Sequence, residues 1–357
     1  MIQRKILLPI KTNNGFSLTS NHISGGIEKF AKQLIENIDG IIPLEITEED
    51  RKQRRTRQKI ERAILEYNPD CLIANDFDNS IIGHDIPTIL IFHVGDERYI
   101  ALTEFIKSLN QRISVGLHIY FVSNEQLRFH NETCQRLTGE ELRGIKGFID
   151  SSYCEGNEAA AEDIISHCTT IGRTDPQKNP FLCHKLCKPI GVSSVVITTL
   201  HKDIDRYRDY LKKNEHWNPS QITFRDIAYD NTMEILSKSG SYMSTCPLES
   251  WGITAMEALA RGVPLLLVKN KYDSHASTEI AASENHYELI DKNEKSERLK
   301  DIIYKFNRLT YEERVIISDM TKEKHHKLKW IQKINDVIDM RLSDKKIINN
   351  FLKNLFF

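Results

Sequence analysis

The 357 residues exceed what one hydrophobic core usually supports and fit two domains of roughly 150 to 180 residues each. Hydrophobic residues make up 40% and charged residues 28%, without enrichment in Gly or Pro, which excludes the disordered and fibrous classes. A formal net charge of −1 excludes attraction of a polyanion by overall charge, so any such partner must be met by a local patch.

The opening RKILLPI is strand-like, with a first strand over Lys5–Ile10, and lacks the long apolar stretch of an export signal. No apolar run is long enough to span a membrane, so the expectation is a cytoplasmic protein with no membrane partner. SGGIEKF follows the first strand's loop, and Gly25 and Gly26 open a helix over 26–38. The pair is either a plain turn or a place where backbone amides approach an anionic or sugar group at a helix N-terminus.

A helix is predicted over 49–67, with Glu48, Glu49 and Asp50 at its start. Within it RKQRRTRQK carries Arg51, Lys52, Arg54, Arg55, Arg57 and Lys59 and no acid. The strip is either a solvated helix face or a line of phosphate contacts. Strands are predicted over Cys71–Ala74, Thr88–His93 and Leu117–Val122, with a helix over 97–112. Asp76 and Asp78 in DFD read as loop acids.

Strands alternating with helices predict a parallel sheet. The polar, acidic SSYCEGNEAAAED at 151–163 interrupts that rhythm and marks the boundary between a domain at 1–160 and a second at 161–330. Strands resume at Ile164–Ile171, Ser193–Thr199, Gln221–Phe224, Ser241–Thr245 and Pro264–Val268. The lysine-rich stretch 331–357 reads as a C-terminal helix that packs back on the first domain.

Two segments of the second domain carry chemistry. IGRTDPQKNPF at 171–181 sets Arg173 and Lys178 just past a strand end, where parallel sheets bind ligands, as a diphosphate clamp or as ordinary surface cations. PLESWGITAMEALARGVP at 247–264 separates Glu249 from Glu257 by a loop and the first turns of a helix that Gly262 and Pro264 terminate. Carboxylates accept vicinal hydroxyls in pairs, so Glu249 suits sugar hydroxyls and Glu257 a ribose diol, with Ser250, Trp251, Gly252 and Ile253 between them. The seven cysteines, Cys71, Cys134, Cys154, Cys168, Cys183, Cys187 and Cys246, are an odd number and suit a reducing compartment. Cys183, His184 and Cys187 cluster, but no second ligand pair follows at zinc spacing, so buried thiols are expected and a metal is not.

The series Glu-Ser-Trp-Gly, Glu257-Ala258, Gly262-Val263-Pro264 resembles the paired-glutamate signature of retaining glycosyltransferases of the GT-B fold. Gly25-Gly26 and Arg173/Lys178 fall where that superfamily has its glycine loop and its diphosphate-binding Arg and Lys, and GIKGFID at 144–150 resembles the end of its N-terminal domain. GGIEKF, IGRTDPQKNPF and NTMEILSKSGSYMS at 231–244 are further similar to segments of the DNA alpha-glucosyltransferases of T-even bacteriophages. That likeness implies two Rossmann-like domains facing a cleft, and transfer of a sugar from a UDP-sugar, UDP-glucose or UDP-arabinose, to 5-hydroxymethylcytosine in double-stranded DNA inside an infected host.

The likeness also implies a monomer that needs no metal cofactor, with Arg173 and Lys178 stabilising the leaving diphosphate and Glu249 beside the sugar. His93 is carried over as an active-site residue near that sugar. Its FHVGDER context departs from the family, which places an acid directly after the histidine, so Asp96 stands in as the partner of the acceptor hydroxyl. The basic strip becomes the DNA contact. A GT-B enzyme acting on a polysaccharide or lipid-linked acceptor, and a catalytically silent nucleotide- or DNA-binding protein on the same scaffold, are the competing readings. No G-x-G-x-x-G follows a strand, against a dinucleotide oxidoreductase.

Overall fold

The computed structural model describes residues 4–11, 26–75, 78–82, 84, 86–93, 117–199, 220–225 and 227–356. The chain divides into two compact units, one of Met1–Tyr153 with Lys327–Phe357 and one of Cys154–His326.

The first unit is built on a six-stranded sheet of β1 (Ile6–Lys11), β2 (Ile41–Ile46), β3 (Cys71–Asn75), β4 (Thr88–Phe92), β5 (Leu117–Phe121) and β6 (Ile145–Phe148). Its order is β2-β1-β3-β4-β5-β6, and every pairing is parallel. Strands β3, β4 and β5 are buried along their whole length, as uninterrupted apolar runs should be when helices cover both faces. Strand β2 was not expected from the sequence. Pro43 interrupts its apolar run and cannot donate to a ladder, which suits the edge position it takes.

The helices of this unit are α1 (Gly26–Asn37), α2 (Glu48–Lys52), α3 (Thr56–Tyr67), α4 (Asn79–Ile82) and α5 (Asn124–Thr138). The single helix predicted over 49–67 is in fact two, broken at Gln53–Arg55, with Arg54 in the left-handed region at φ 55°. A Thr47–Asp50 capping box starts the short first helix, and like charges three and four apart in RKQRR oppose its extension. The helix expected at 97–112 lies outside the described residues.

The second unit carries β7 (Ile165–Arg173), β8 (Ser193–Thr199), β9 (Gln221–Arg225), β10 (Ser239–Ser244), β11 (Leu265–Val268) and β12 (Tyr287–Ile290). Their order, β12-β11-β10-β7-β8-β9, is again wholly parallel. The chain leaves β7 toward β8 on one side and later returns to β10 on the other, so β7 and β10 form the switch point at which such sheets bind ligands. The helices are α6 (Leu182–Cys187), α7 (Tyr229–Ser237), α8 (Ile253–Leu259), α9 (Ser296–Asn307) and α10 (Tyr311–Lys324). Cys168, Phe181, Val196, Met243, Leu266 and Phe306 meet in the core.

Arg314 of α10 is fully buried within this unit. Its Nη1 donates to the carbonyls of Ser239 (3.4 Å) and Gly262 (3.2 Å), and its Nη2 to those of Gly240 (3.3 Å) and Phe306 (2.9 Å). One guanidinium thereby ties the start of β10, the end of α8 and the end of α9 together. Burial lowers its pKa to about 10.

In the first unit, the C-terminal helix (Lys327–Phe356) packs Trp330 edge-on to Phe30 of α1 at 5.7 Å, and the Trp330 indole donates to the Asp150 carbonyl at 2.8 Å. Among the described residues no helix is long and apolar enough to cross a membrane.

Candidate functional site

Arg173 is the last residue of β7, and the loop after it is built around the buried carboxylate of Asp175. One Asp175 oxygen accepts from the Lys178 amide at 2.8 Å and the other faces Arg173 Nε at 3.4 Å. Asp175 thus sets the spacing of the two cations, while the Arg173 side chain stays 47% exposed and open to a ligand.

Lys178 reaches across to the loop that follows β10, where its Nζ meets Glu249 Oε2 at 2.7 Å. The two motifs, 71 positions apart in the chain, therefore meet at the switch point of one sheet. A second tie runs between the same loops, from Thr245 Oγ1 to the Lys178 carbonyl at 2.7 Å. Burial alone would raise the Glu249 carboxyl, but the Lys178 ammonium outweighs it and holds the group below its ordinary value. Lys178 is held above its own ordinary value: burial opposes the charge, and the attraction of Glu249 overcomes it. The pair is ionised at neutral pH.

Gly252 closes the Glu249 loop at φ 92° and leads into α8. A Cβ there would lie 2.2 Å from Ser277 Oγ and 3.4 Å from Glu249 Cγ. Both the left-handed backbone and the lack of room demand glycine. Gly252→Ala is expected to cost about 2 kcal/mol or more in thermal unfolding and to depress ligand binding at the Glu249 loop, measured side by side on one preparation.

Glu257 of α8 is buried and its Oε1 accepts from the hydroxyl of Tyr229 at 2.8 Å, at the start of α7. Ser250 and Ile253 are half-buried. Trp251 is buried, its ring edge-on to His325 at 5.7 Å. Asp175, Tyr229, His275 and Ser277 were not singled out in the sequence; Asp175 alone sat inside a quoted motif, and the others carry no spacing signal.

His184 turns away from its neighbouring cysteines to Ser194 (2.7 Å) and Thr223 (3.1 Å), and burial lowers its pKa to about 4. Cys183 and Cys187 instead meet Cys168 of β7, the three sulfurs lying within 4.8 Å of one another in the apolar core.

In the first unit His93 follows β4 and is buried against Phe30 of α1, ring centroids 4.7 Å apart. Burial lowers its pKa to about 3, so the imidazole is neutral. Gly26 is the first residue of α1, whereas Gly25, Asp76 and Asp96 lie outside the described residues. Asp78 is engaged by Lys11 at 3.0 Å and by the Ser80 amide at 2.8 Å.

The basic strip spans the break between α2 and α3. Lys52 pairs with Glu48 (2.9 Å), Arg57 with Glu61 (3.0 Å) and Lys59 with Asp50 (2.7 Å), while Arg51 is half-buried. The hydrogen bond from Lys59 is the largest influence on Asp50 and helps hold its carboxyl at about 2. Arg54 and Arg55 are exposed and have no acidic partner among the described residues.

No protein-family model and no curated protein matches the chain. Solved structures do. Anabaena HepE in complex with UDP superposes with a TM-score of 0.66 at 14% identity, over 94% of this chain and 100% of that one. The α,α-trehalose 6-phosphate synthase of Burkholderia multivorans gives 0.65 at 9% identity, over 98% and 99%. The GtfA/B complex gives 0.58 at 10% identity over 80% of this chain, which spans about three fifths of that relative (61%). At such identities the likeness is one of fold, and the two parallel six-stranded sheets with their helices are the GT-B fold.

Proposed function

We propose that the chain is a glycosyltransferase that moves a sugar from a UDP-sugar to the hydroxymethyl group of 5-hydroxymethylcytosine in DNA, with retention. The observation that carries the donor half is the Lys178–Glu249 pair beside exposed Arg173 at the β7/β10 switch point. A diphosphate needs convergent cations there, and a sugar needs a fixed carboxylate next to them. HepE, which shares the fold, was solved with UDP, in keeping with a uridine nucleotide as the donor's carrier.

In this reading Arg173 and Lys178 neutralise the charge that develops on the departing diphosphate. Glu249 accepts from sugar hydroxyls and Glu257, oriented by Tyr229, from the ribose diol. The sugar's C1–O bond to phosphate breaks as the bond from C1 to the hydroxymethyl oxygen forms on the same face, and the hydroxyl proton passes to the leaving phosphate oxygen. The cations supply the stabilisation that a metal gives elsewhere. His93, neutral within the first unit, is carried over from the resemblance as an active-site group that acts by hydrogen bonding rather than as an acid.

The acceptor half rests on the likeness to the phage enzymes together with Arg54 and Arg55, which lie at the helix break, exposed and without an acidic partner among the described residues. Replacing both by Ala should weaken binding to DNA and lower the slope of log K against log salt by about 2, with UDP affinity unchanged. Arg57→Ala, which removes a cation already paired with Glu61, should change the slope little. An unchanged slope in the double variant removes the strip from the interface.

The direct test incubates the protein with hydroxymethylcytosine DNA and either UDP-glucose or UDP-arabinose, followed by nucleoside mass spectrometry. A gain of one sugar mass establishes donor and acceptor. Slow hydrolysis of a nucleotide sugar with no modified nucleoside keeps the donor site and moves the acceptor outside DNA.

A further inference from the structure

The loop that carries Glu249 runs from Thr245 to Gly252 between β10 and α8, and a single segment, His275–Ile280, touches both of its ends. His275 Nδ1 accepts from the Ser277 amide at 3.0 Å, so the ring proton sits on Nε2. That nitrogen donates to the Cys246 carbonyl at 3.1 Å and lies 3.1 Å from Ser244 Oγ. The same Cys246 carbonyl accepts from the Glu249 amide at 3.3 Å, so two hydrogen bonds lead from the imidazole to the backbone of Glu249.

At the loop's far end Ser277 Oγ donates to the Trp251 carbonyl at 3.0 Å, an approach possible only because Gly252 has no Cβ. The segment's own end is held by His325, 2.9 Å from the Ile280 carbonyl, whose ring also packs against Trp251. His275 and Ser277 are 1% and 0% exposed, so water does not compete for these bonds.

We propose that His275 and Ser277 are positioning residues that strap the Glu249 loop at both ends and fix its carboxylate for the transferred sugar. The proposal rests on the sugar-transfer reading for its consequence, and on the loop geometry for its existence. Lys178 alone cannot set this position, since its long side chain allows Glu249 many placements, whereas the strap fixes the backbone from which the carboxylate projects.

The test compares the full chain with His275→Asn and His275→Gln. The Asn amide reproduces the place of Nδ1 and keeps the bond from the Ser277 amide but falls short of Cys246; the Gln amide reaches Cys246. In His275→Asn, amide hydrogen exchange at Glu249 and Ser250 should quicken by about tenfold or more. Turnover of UDP-sugar should fall on the order of 100-fold, in kcat rather than in UDP affinity, because a displacement of about 1 Å at the sugar costs that much. His275→Gln should recover most of both.

Wild-type exchange and turnover in His275→Asn would overturn the strap. Faster exchange in a protein whose wild type transfers no sugar would overturn the sugar-transfer reading and leave the strap standing. Should His275→Asn fail to fold, Ser277→Ala, which removes only the bond to Trp251, reads the same exchange and turnover, and no change in either overturns the proposal.

Discussion

Lys178→Ala should reduce kcat/KM for sugar transfer by about 100- to 1000-fold, and Arg173→Ala by about 100-fold or more, the usual loss when a charge-stabilising donor is removed from a transition state. Lys178→Ala carries the larger effect because it does two things at once. In the proposed function it withdraws a cation from the diphosphate, and it leaves the half-buried Glu249 carboxylate without the partner now 2.7 Å away. Steady-state kinetics with a UDP-sugar, alongside UDP binding by calorimetry, separates the two. Glu249→Gln should retain UDP affinity while losing turnover, since one end of the amide becomes a donor that cannot accept a sugar hydroxyl and the negative charge beside Lys178 is gone.

The pH dependence follows from the same pair. Glu249 is held below 4.5 and Lys178 above 10.5 in the folded chain. For a carboxyl depressed on folding, the stabilisation is complete above its unfolded value and is lost as pH falls through the folded one. The melting temperature should therefore be insensitive to this pair through the neutral range. It should decline in acid, below 4.5, less steeply in Glu249→Gln than in the wild type, and in alkali above 10.5, where the unfolded chain loses the Lys178 proton that the folded chain keeps. An equal acid decline in the two proteins would mean that Glu249 contributes nothing to it.

Arg314→Met should lower stability by about 4 kcal/mol, because four buried carbonyls lose their donor, offset in part by release of a buried charge. For a unit of this size that corresponds to a fall of roughly 10 °C in melting temperature. Differential scanning calorimetry resolves it, and Arg314→Lys, which keeps the charge but cannot fork toward four acceptors, should fall between. A Met variant that melts with the wild type would show that the carbonyls find other donors.

Much of the fold was legible because parallel strands buried on both faces leave uninterrupted apolar runs, as in CLIAN and TILIF. Two of the edge strands were not: β2 contains Pro43, and in the four-residue β12 only Ile290 is fully buried, so its pattern reads equally as loop. Nor was the polar helix α5, NEQLRFHNETCQRLT, whose stability comes from packing rather than pattern. The break at Arg54 was not legible because helix propensity runs straight through RKQRRTRQK and nothing in that pattern marks the left-handed backbone that Arg54 adopts.

At the site, Arg173, Lys178, Glu249 and Glu257 stood out by motif, but the contact of Lys178 with Glu249 did not, since chain spacing says nothing of which loops the switch point brings together. His275 and Ser277 were illegible for a related reason. Apart from Ser244 Oγ, their partners are backbone carbonyls and amides, which every residue has, so little elsewhere in the chain points to them.

The return of Lys327–Phe357 to the first unit sets an order of events during synthesis. The second unit is one continuous stretch, Cys154–His326, and is complete before Trp330 leaves the ribosome. Until then Phe30 of α1 lacks its indole neighbour, and the first unit waits on a segment made after the whole of the second. Release of a nascent chain stalled just short of Lys327 should yield a folded second half attached to a protease-sensitive first half, the reverse of the usual N-to-C sequence of domain maturation.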